Sequence, residues 1–194
     1  MNTPRLILIG TASLIIAASA DAQVAAPAGT PPAPAPAAAK PYSPADQHIY
    51  LTIAESMQFH LNMSLRLRSK YKEGPADMLA IAGKVHKETT ALWTPGVDAA
   101  MAHGVEGKKI PQGPSKSDSA ALGKLNAIKD DKKWDLAFFE FYAKEAKKGA
   151  ADAEKGAKAA QSPDLKPFAE KAAALLKAQA DEVEAKFKEL KTRK

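Results

Sequence analysis

The sequence predicts an all-α protein whose folded part is a four-helix bundle with a long crossover between its second and third long helices. After residue 43, apolar residues recur in four long segments with the 3.6-residue spacing of amphipathic helices. The first and third connections between these segments are short and the middle one is long, which is the connectivity of a bundle with a crossover. No segment shows the two-residue alternation of a half-buried strand.

The first two long helices are predicted over residues 44 to about 70 and 76–103. Ser43 supplies an N-cap and Pro44 suits the first helical position. Pro95 is expected to kink or break the second helix, because proline removes one backbone donor. The side chains expected to face the core are Ile49, Ile53, Ser56, His60, Met63 and Leu67 in the first helix and Met78, Ala82, Val85, His86, Thr89, Leu92 and Trp93 in the second.

A crossover loop rich in glycine, lysine and proline is predicted over residues 104–116, followed by a short amphipathic helix over residues 117–128. The third long helix starts near Asp131, and the fourth follows Ser162 with Pro167 in its opening turns. Aromatic residues dominate the first half of the third helix, and small residues in its second half allow close approach of a neighbour. The predicted core residues are Trp134, Phe138, Phe141, Tyr142, Glu145, Gly149, Ala153 and Gly156, then Leu165, Phe168, Ala172, Leu175, Leu176, Gln179, Val183, Phe187 and Leu190.

Residues 1–22 have the pattern of a secretory signal peptide. Arg5 precedes a 13-residue, mostly apolar run, and Ala20-Asp21-Ala22 has the small-x-small pattern of a cleavage site. The run is shorter than the roughly 20 residues that span a bilayer, which favours cleavage over the alternative of a membrane anchor. The sequence therefore predicts an exported, periplasmic protein with no transmembrane helix in its mature chain.

Residues 23–43 are predicted to form a disordered Pro/Ala-rich linker, ahead of the bundle domain at residues 44–192. The linker contains six prolines, and its small side chains cannot form a core. The chain has no cysteine, which excludes disulfides, thiolate metal sites and cysteine nucleophiles.

The formal net charge of the chain is +6. Acidic residues are interleaved with the lysines, which favours a solvated surface over a nucleic-acid interface, and export argues against a chromosomal partner. Such an exterior is expected to attract anionic lipopolysaccharide, phospholipid or polyphosphate, and salt should weaken that attraction.

Four polar residues are predicted to share one layer at the middle of the bundle: His60, His86, Glu145 and Gln179. The two histidines each lie 13 residues from the centre of the first turn, at residue 73, so antiparallel packing places them at one level. The other two residues each lie 17 residues from residue 162 in the last turn. Two imidazoles and a carboxylate can bind a divalent transition metal, with the amide or water completing the ligand set.

The alternative to a metal site is a layer in which the same four side chains hydrogen-bond one another. The other two histidines, His48 and His103, are predicted to be exposed and receive no role. The sequence contains no phosphate-binding loop, nucleophile elbow or His-Glu-x-x-His motif, so no enzyme class is predicted.

Three segments, IAGKVHKETTALW with His86, WDLAFFEFY, and SPDLKPFAEKAAALLKAQ, follow the signal peptide and spacer in a characteristic order. In these features the chain, from about Asp46 to Leu190, resembles an exported bacterial family of unknown function, sometimes described as outer-membrane proteins. The resemblance implies a ferritin-like bundle and a metal or oxidative-stress role. The Glu-x-x-His pairs of ferritin-like di-iron sites are absent, and Ala146 and Gln179 stand where that family tends to place further histidines.

Two functional hypotheses follow from the sequence. The first is a non-enzymatic, stress-related envelope protein: an interaction module on a flexible stalk, with an anionic envelope surface or a protein as its partner. The second is a metal-binding or redox ferritin-like protein that uses His60, His86 and Glu145, with Gln179 as a fourth polar group.

Overall fold

The computed structural model describes residues 39–193. The predicted signal peptide, residues 1–22, and residues 23–38 of the predicted linker lie outside this range. The described chain is all-α and contains no β-strand. It forms the helices α1 (Pro44–Lys70), α2 (Ala76–Ala102), α3 (Lys116–Asn126), α4 (Asp131–Ala159) and α5 (Leu165–Thr192), with a 3₁₀ turn at Gly107–Lys109. None of these helices combines the length and the apolar character that crossing a bilayer would need.

Side-chain caps fix where three of the helices begin. Ser43 Oγ accepts a hydrogen bond from the backbone N of Asp46 at 3.1 Å, and Pro44 follows the cap, as the sequence predicts. The short helix α3 begins with a reciprocal capping box between Ser115 and Asp118. At the start of α4, the Asp130 carboxylate accepts from the backbone N of Lys133 at 2.8 Å. Each cap satisfies a backbone donor that has no partner within its own helix.

The helix α2 runs through Pro95 and ends only at Ala102, so it does not break at the proline. The next residue, Gly96, is buried. A Cβ atom at Gly96 would overlap the Phe168 ring of α5. The Pro-Gly pair therefore marks a close contact between α2 and α5 and not the end of a helix.

Contacts at the helix ends define the direction of each long helix. Tyr42, just before α1, donates its backbone N–H to the carbonyl of His103, just after α2, at 2.9 Å. At the other end, Lys70 of α1 pairs with Asp131 of α4 at 2.6 Å. Near the end of α5, Lys186 lies 2.5 Å from Asp77 at the start of α2. The helices α1 and α5 therefore run in one direction, and α2 and α4 run in the other.

We call the end of the bundle that contains Tyr42, His103 and Leu165 the linker end. A second, smaller cluster of buried apolar residues lies there, and it includes Val105 and Ile110 of the crossover loop. The loop is thus held by two buried side chains. Tyr42, which the sequence analysis assigns to the linker, is only 6% exposed and packs in this cluster.

The main core runs along the contacts between α1, α4 and α5, with α2 covering α1 and α5. Its aromatic side chains come from the first half of α4, where the rings of Trp134 and Phe138 stack with centroids 4.8 Å apart. Small residues such as Ala146 and Ala153 continue the core along the second half. The division of α4 into an aromatic half and a small-residue half agrees with the prediction. Polar residues lie where the two halves meet.

Candidate functional site

His60 is the most deeply buried histidine of the described chain. Its side chain has no solvent exposure, and Nδ1 lies 3.2 Å from the hydroxyl of Tyr142. The ring also makes edge contacts with the rings of Phe59 and Tyr142. Burial lowers the pKa of His60 to about 3, while nearby Gln179 acts in the opposite direction. The imidazole is therefore neutral at physiological pH.

Gln179 lies on α5 and makes its hydrogen bonds with Thr89 of α2. The Thr89 hydroxyl donates to Oε1 of Gln179 at 3.2 Å, and Nε2 of Gln179 lies 3.1 Å from the same hydroxyl oxygen. Both residues are buried. This pair satisfies polar groups inside the bundle without any ion.

His86 lies on α2 opposite Ser64, with Nδ1 3.4 Å from the Ser64 hydroxyl. Ser64 follows His60 by four residues, which is about one helical turn. The predicted shared level of the two histidines is therefore offset by one turn. Unlike His60, His86 is partly exposed.

Glu145 is partly exposed on α4, three residues after Tyr142. It lines a cavity of about 110 Å³ between α1, α4 and the start of α3. His60 lines the same cavity, whereas His86 and Gln179 do not. Two of the four predicted layer residues therefore line this cavity. Of the other two, Gln179 is a neighbour of His60 and His86 contacts Ser64.

Among residues 39–193, no group of three or more His, Cys, Asp or Glu side chains lies in an arrangement that could hold a metal ion. The predicted set of His60, His86 and Glu145 is thus not assembled as metal ligands. The metal site stays a prediction from the sequence. The hydrogen bonds observed pair His60 with Tyr142, His86 with Ser64 and Gln179 with Thr89, which are partners outside the predicted set of four.

A second polar feature lies at the end of the bundle opposite the linker end. We call it the basic end and define it as residues 66–77, 129–135 and 184–193. These segments contain eleven Lys and Arg against seven Asp and Glu, a formal charge of +4. The corresponding segments at the linker end, residues 39–50, 96–110 and 154–170, contain six of each kind. The charge of the bundle is therefore polarised along its long axis.

Ion pairs hold the helix ends together at the basic end. Lys186 of α5 is only 5% exposed, and its Nζ lies 2.5 Å from Asp77 of α2 and 3.0 Å from Glu189. The hydrogen bond from Lys186 lowers the pKa of Asp77. Lys186 is absent from the predicted core residues of α5, because the prediction selected apolar residues and a lysine is charged.

Seven cations of the basic end make no ion pair with any residue in the range 39–193. Six of them are exposed, and Arg66 is partly buried. The seven are Arg66, Arg68, Lys72, Lys129, Lys132, Lys133 and Lys191. Side chains of this kind remain available to an external anion.

His103 is buried, contrary to the prediction of an exposed histidine without a role. It is 7% exposed, and its ring stacks on Tyr42 with centroids 4.3 Å apart. Its Nδ1 lies 2.6 Å from the carbonyl of Lys40, and its Nε2 lies 3.6 Å from Asp164. The sequence feature that could have indicated this burial is the neighbouring Gly104, which has a φ of 85°. A glycine in this conformation ends a helix and turns the chain back over it. His48 is exposed, as predicted.

Comparison with known proteins returned no match: no protein-family profile, curated protein or solved structure corresponds significantly to this chain.

Proposed function

We propose that this protein is an exported, non-enzymatic module of the bacterial cell envelope that contacts phosphate-bearing anionic lipid through its basic end. The single observation that carries the proposal is the charge polarity of the bundle, +4 at the basic end against zero at the linker end. In this proposal the bundle is a ferritin-like scaffold, in keeping with the family resemblance, and the Pro/Ala-rich linker tethers it at the opposite end.

The length of α1 supports different roles for the linker end and the basic end in this proposal. This helix has 27 residues and is therefore about 40 Å long. Ser43 lies at one end of it and Arg68 at the other, so a tether at residue 43 leaves the basic end about 40 Å away from the point of attachment. A long spacer combined with a charged far end favours contact with a separate surface.

The cations that have no ion-pair partner give the basic end its affinity in this proposal. A lysine or arginine held near an anionic membrane contributes on the order of 1 kcal/mol. Arg68 and Lys72 also line a groove with Leu79 and Gly83 of α2, where a phosphate group can lie between two positive side chains. Because the attraction is electrostatic, we expect it to weaken as ionic strength rises.

The test is vesicle co-sedimentation of the purified protein with phosphatidylglycerol vesicles and with phosphatidylcholine vesicles. We expect binding only to the anionic vesicles, with affinity that falls steadily between 20 and 300 mM salt, since the Debye length shrinks from roughly 20 Å to under 10 Å over that range. Free inorganic phosphate, added as a competitor, distinguishes a site for one phosphate from a surface effect that needs many headgroups.

The decisive variant reverses three charges of the basic end, Lys129→Glu, Lys132→Glu and Lys133→Glu. Its matched control reverses three at the linker end, Lys155→Glu, Lys158→Glu and Lys166→Glu, and has the same net charge. We expect the first variant to lose about 100-fold in vesicle affinity and the second to lose under 5-fold. Equal losses in the two variants, or no binding to anionic vesicles at 20 mM salt, would reject the basic end as the contact surface.

Export itself has a direct test. The N-terminus of the protein isolated from the producing cell is expected at Gln23, after removal of residues 1–22. Intact-mass measurement of the protein from the periplasmic fraction decides this. A mass that retains residues 1–22 would support the membrane-anchor alternative.

A further inference from the structure

A groove runs along the outer side of α1 and α2 at the basic end. Its walls are formed by Arg68 and Ser69 of α1, Lys72 of the following turn, and Leu79 and Gly83 of α2. The volume of the groove is about 750 Å³, which lies within the range of small-molecule sites. The groove is open on its solvent side, so a ligand in it can also remain part of a larger surface.

The charged side chains that line the groove are both positive. Arg68 and Lys72 are exposed, and neither makes an ion pair with any residue in the range 39–193. Ser69 adds a hydroxyl that can donate a hydrogen bond. Glu73, the acidic residue next to Lys72 in the sequence, does not line the groove. Two cations and a hydroxyl in one place suit an anion with several oxygen atoms, such as a phosphate.

An exposed leucine lies beside these cations. Leu65 is 49% exposed, and among residues 39–193 the only other large apolar side chain with comparable exposure is Met101. Residues three and four apart lie on the same side of a helix, so Leu65 shares a stripe of α1 with Arg68 and Ser69. Contact of a leucine side chain with water is unfavourable, and an apolar partner would remove it. The stripe therefore offers an anion site and an apolar site next to each other.

The wall formed by α2 leaves space beside this leucine. A Cβ atom at Gly83 would meet no neighbouring helix within 4 Å. Ser64 of α1 lies 3.4 Å from His86 of α2, so Leu65 and Gly83 lie within one turn of the same level of the two antiparallel helices. The open space above Gly83 is therefore available to an apolar chain that contacts Leu65.

The combination of these features indicates the chemical class of the ligand. Inorganic phosphate would use the two cations and would leave Leu65 in water. A purely apolar ligand would cover Leu65 and would gain nothing from the cations. A phospholipid has a phosphate and an acyl chain separated only by its glycerol unit, so it can use both parts of the groove at once.

We propose that this groove binds one anionic phospholipid, with the phosphate between Arg68 and Lys72 and the start of an acyl chain against Leu65 and above Gly83. The inference rests on the proposed membrane contact and makes it more specific. The α1–α2 edge of the basic end lies on the lipid surface, and the lysines in the range 129–133 attract that surface from a distance.

The test uses dihexanoylphosphatidylglycerol, a short-chain lipid, below the concentration at which it forms micelles. The lipid is then a single molecule, so binding reports a site and not a charged surface. NMR titration of the ¹⁵N-labelled protein should show saturable 1:1 binding, with shifts of the amides of residues 65–72 and 79–83. Absence of saturation, or shifts spread evenly over the lysine-rich surfaces, would overturn the proposal.

Two further probes separate the phosphate from the chain. Glycerol 3-phosphate has the charge without the acyl chains, and dihexanoylphosphatidylcholine has the chains without the net charge. We expect each to bind at least 10-fold more weakly than the anionic lipid. Equal affinity for glycerol 3-phosphate would reduce the groove to a phosphate site, and equal affinity for the choline lipid would reduce it to an apolar site. Either result contradicts the proposal.

Two glycine substitutions locate the binding site. Gly83→Leu fills the groove, and Gly123→Leu on α3 is its matched control, because both glycines are exposed and a Cβ at either would meet nothing within 4 Å. We expect affinity for the short-chain lipid to fall at least 10-fold in Gly83→Leu and to change less than 2-fold in Gly123→Leu. Thermal unfolding midpoints close to that of the natural protein show that both variants remain folded. Equal effects of the two substitutions would overturn the assignment.

The exposed leucine has a matched control at the linker end. Leu65→Ser and Met101→Ser each replace an apolar side chain that is about half exposed, so both should leave the fold intact. We expect Leu65→Ser to lower affinity for the short-chain lipid at least 5-fold and Met101→Ser to change it less than 2-fold. An unchanged affinity in Leu65→Ser would mean that no acyl chain contacts this stripe.

Co-sedimentation of Gly83→Leu with phosphatidylglycerol vesicles distinguishes failure of this inference from failure of the proposed function. If Gly83→Leu binds vesicles as well as the natural protein, while the reversal of the lysines at 129, 132 and 133 removes binding, the membrane contact stands and the groove assignment is wrong. If the natural protein binds no anionic vesicle at 20 mM salt, the proposed membrane contact is wrong, and the edge contact inferred here is wrong with it.

Discussion

The two halves of α4 fill the interior of the bundle in opposite ways. From Trp134 to Tyr142, large rings occupy the space next to α1, with Phe138 in contact with Trp134, Phe139 and Tyr142. From Ala146 to Gly156, small residues bring the helix axes together instead. A Cβ at Gly149 would lie 2.9 Å from the Ser56 hydroxyl, and one at Gly156 would lie 3.0 Å from Ile49.

The difference teaches where a helical bundle can hold polar groups. Neither half leaves room for them on its own, because rings fill the first half and backbones approach closely in the second. At the junction the rings end before the close approach begins. His60 contacts Tyr142 of the aromatic half, and the cavity that it lines reaches Gly149 of the small-residue half. The polar layer and the cavity therefore both lie at this junction.

The aromatic half should be the more sensitive to loss of volume. Phe138 is fully buried, and Phe138→Ala is expected to lower the free energy of unfolding by about 3–5 kcal/mol, because it removes a ring and leaves a cavity. Urea denaturation followed by circular dichroism measures the change. Leu65→Ala is the control, since Leu65 is 49% exposed, and its cost should stay under about 1 kcal/mol. Equal costs would show that the rings do not dominate the core.

The small-residue half should be the more sensitive to gain of volume. Ala153 has no exposed surface, and Ala153→Leu is expected to cost about 1–3 kcal/mol, because α4 must move away from its neighbours to admit the larger side chain. The matched substitution Ala151→Leu places the same side chain on the exposed face of the same helix. Its effect on the urea midpoint should be close to zero. A stable Ala153→Leu variant would mean that the helices are not in close contact there.

The junction should respond to pH through His60. In the folded chain burial lowers the pKa of His60 to about 3 from the ordinary value of 6.5. Between these two values the unfolded chain binds a proton that the folded chain does not. The free energy of unfolding is therefore retained at pH values above 6.5, and it falls by about 1.4 kcal/mol for each unit by which the pH drops from there toward 3.

His60→Gln isolates this contribution from that of the other titrating groups. We expect the stability difference between the natural protein and the variant to shrink by about 2 kcal/mol between pH 7 and pH 5. Urea denaturation at the two pH values provides the comparison. Parallel pH profiles for the two proteins would mean that His60 takes up its proton in the folded state as readily as in the unfolded state.

Much of the helical framework was predictable, because local chemistry fixes it. The start of α1 after Ser43, the start of α4 at Asp131 and the aromatic and small halves of α4 all agree with the sequence analysis. Pro95 shows the limit of local rules. Proline removes one backbone hydrogen-bond donor. The helix α2 nevertheless continues for seven residues after Pro95, and Phe168 packs on Gly96 within that stretch.

The candidate site was less predictable than the helices. Spacing from the turns placed His60 and His86 at one level, whereas His86 lies opposite Ser64. When one helix shifts by one turn along its neighbour, a residue still points to the same side of the helix, but it contacts a different residue of the neighbour. The same limit applies to His103, whose burial depends on Tyr42 and Asp164, residues that lie about sixty positions away on either side.

The sequence by itself determined which segments are helical, which faces are apolar and how charge is distributed along the chain, since these properties depend on neighbours within a few residues. Only the tertiary structure decided the partners of the polar side chains. Tyr142 meets His60, Thr89 meets Gln179, and Lys186 meets Asp77. The physical reason is that such pairs depend on the rotation and translation of whole helices against one another, which the summed packing of the core determines.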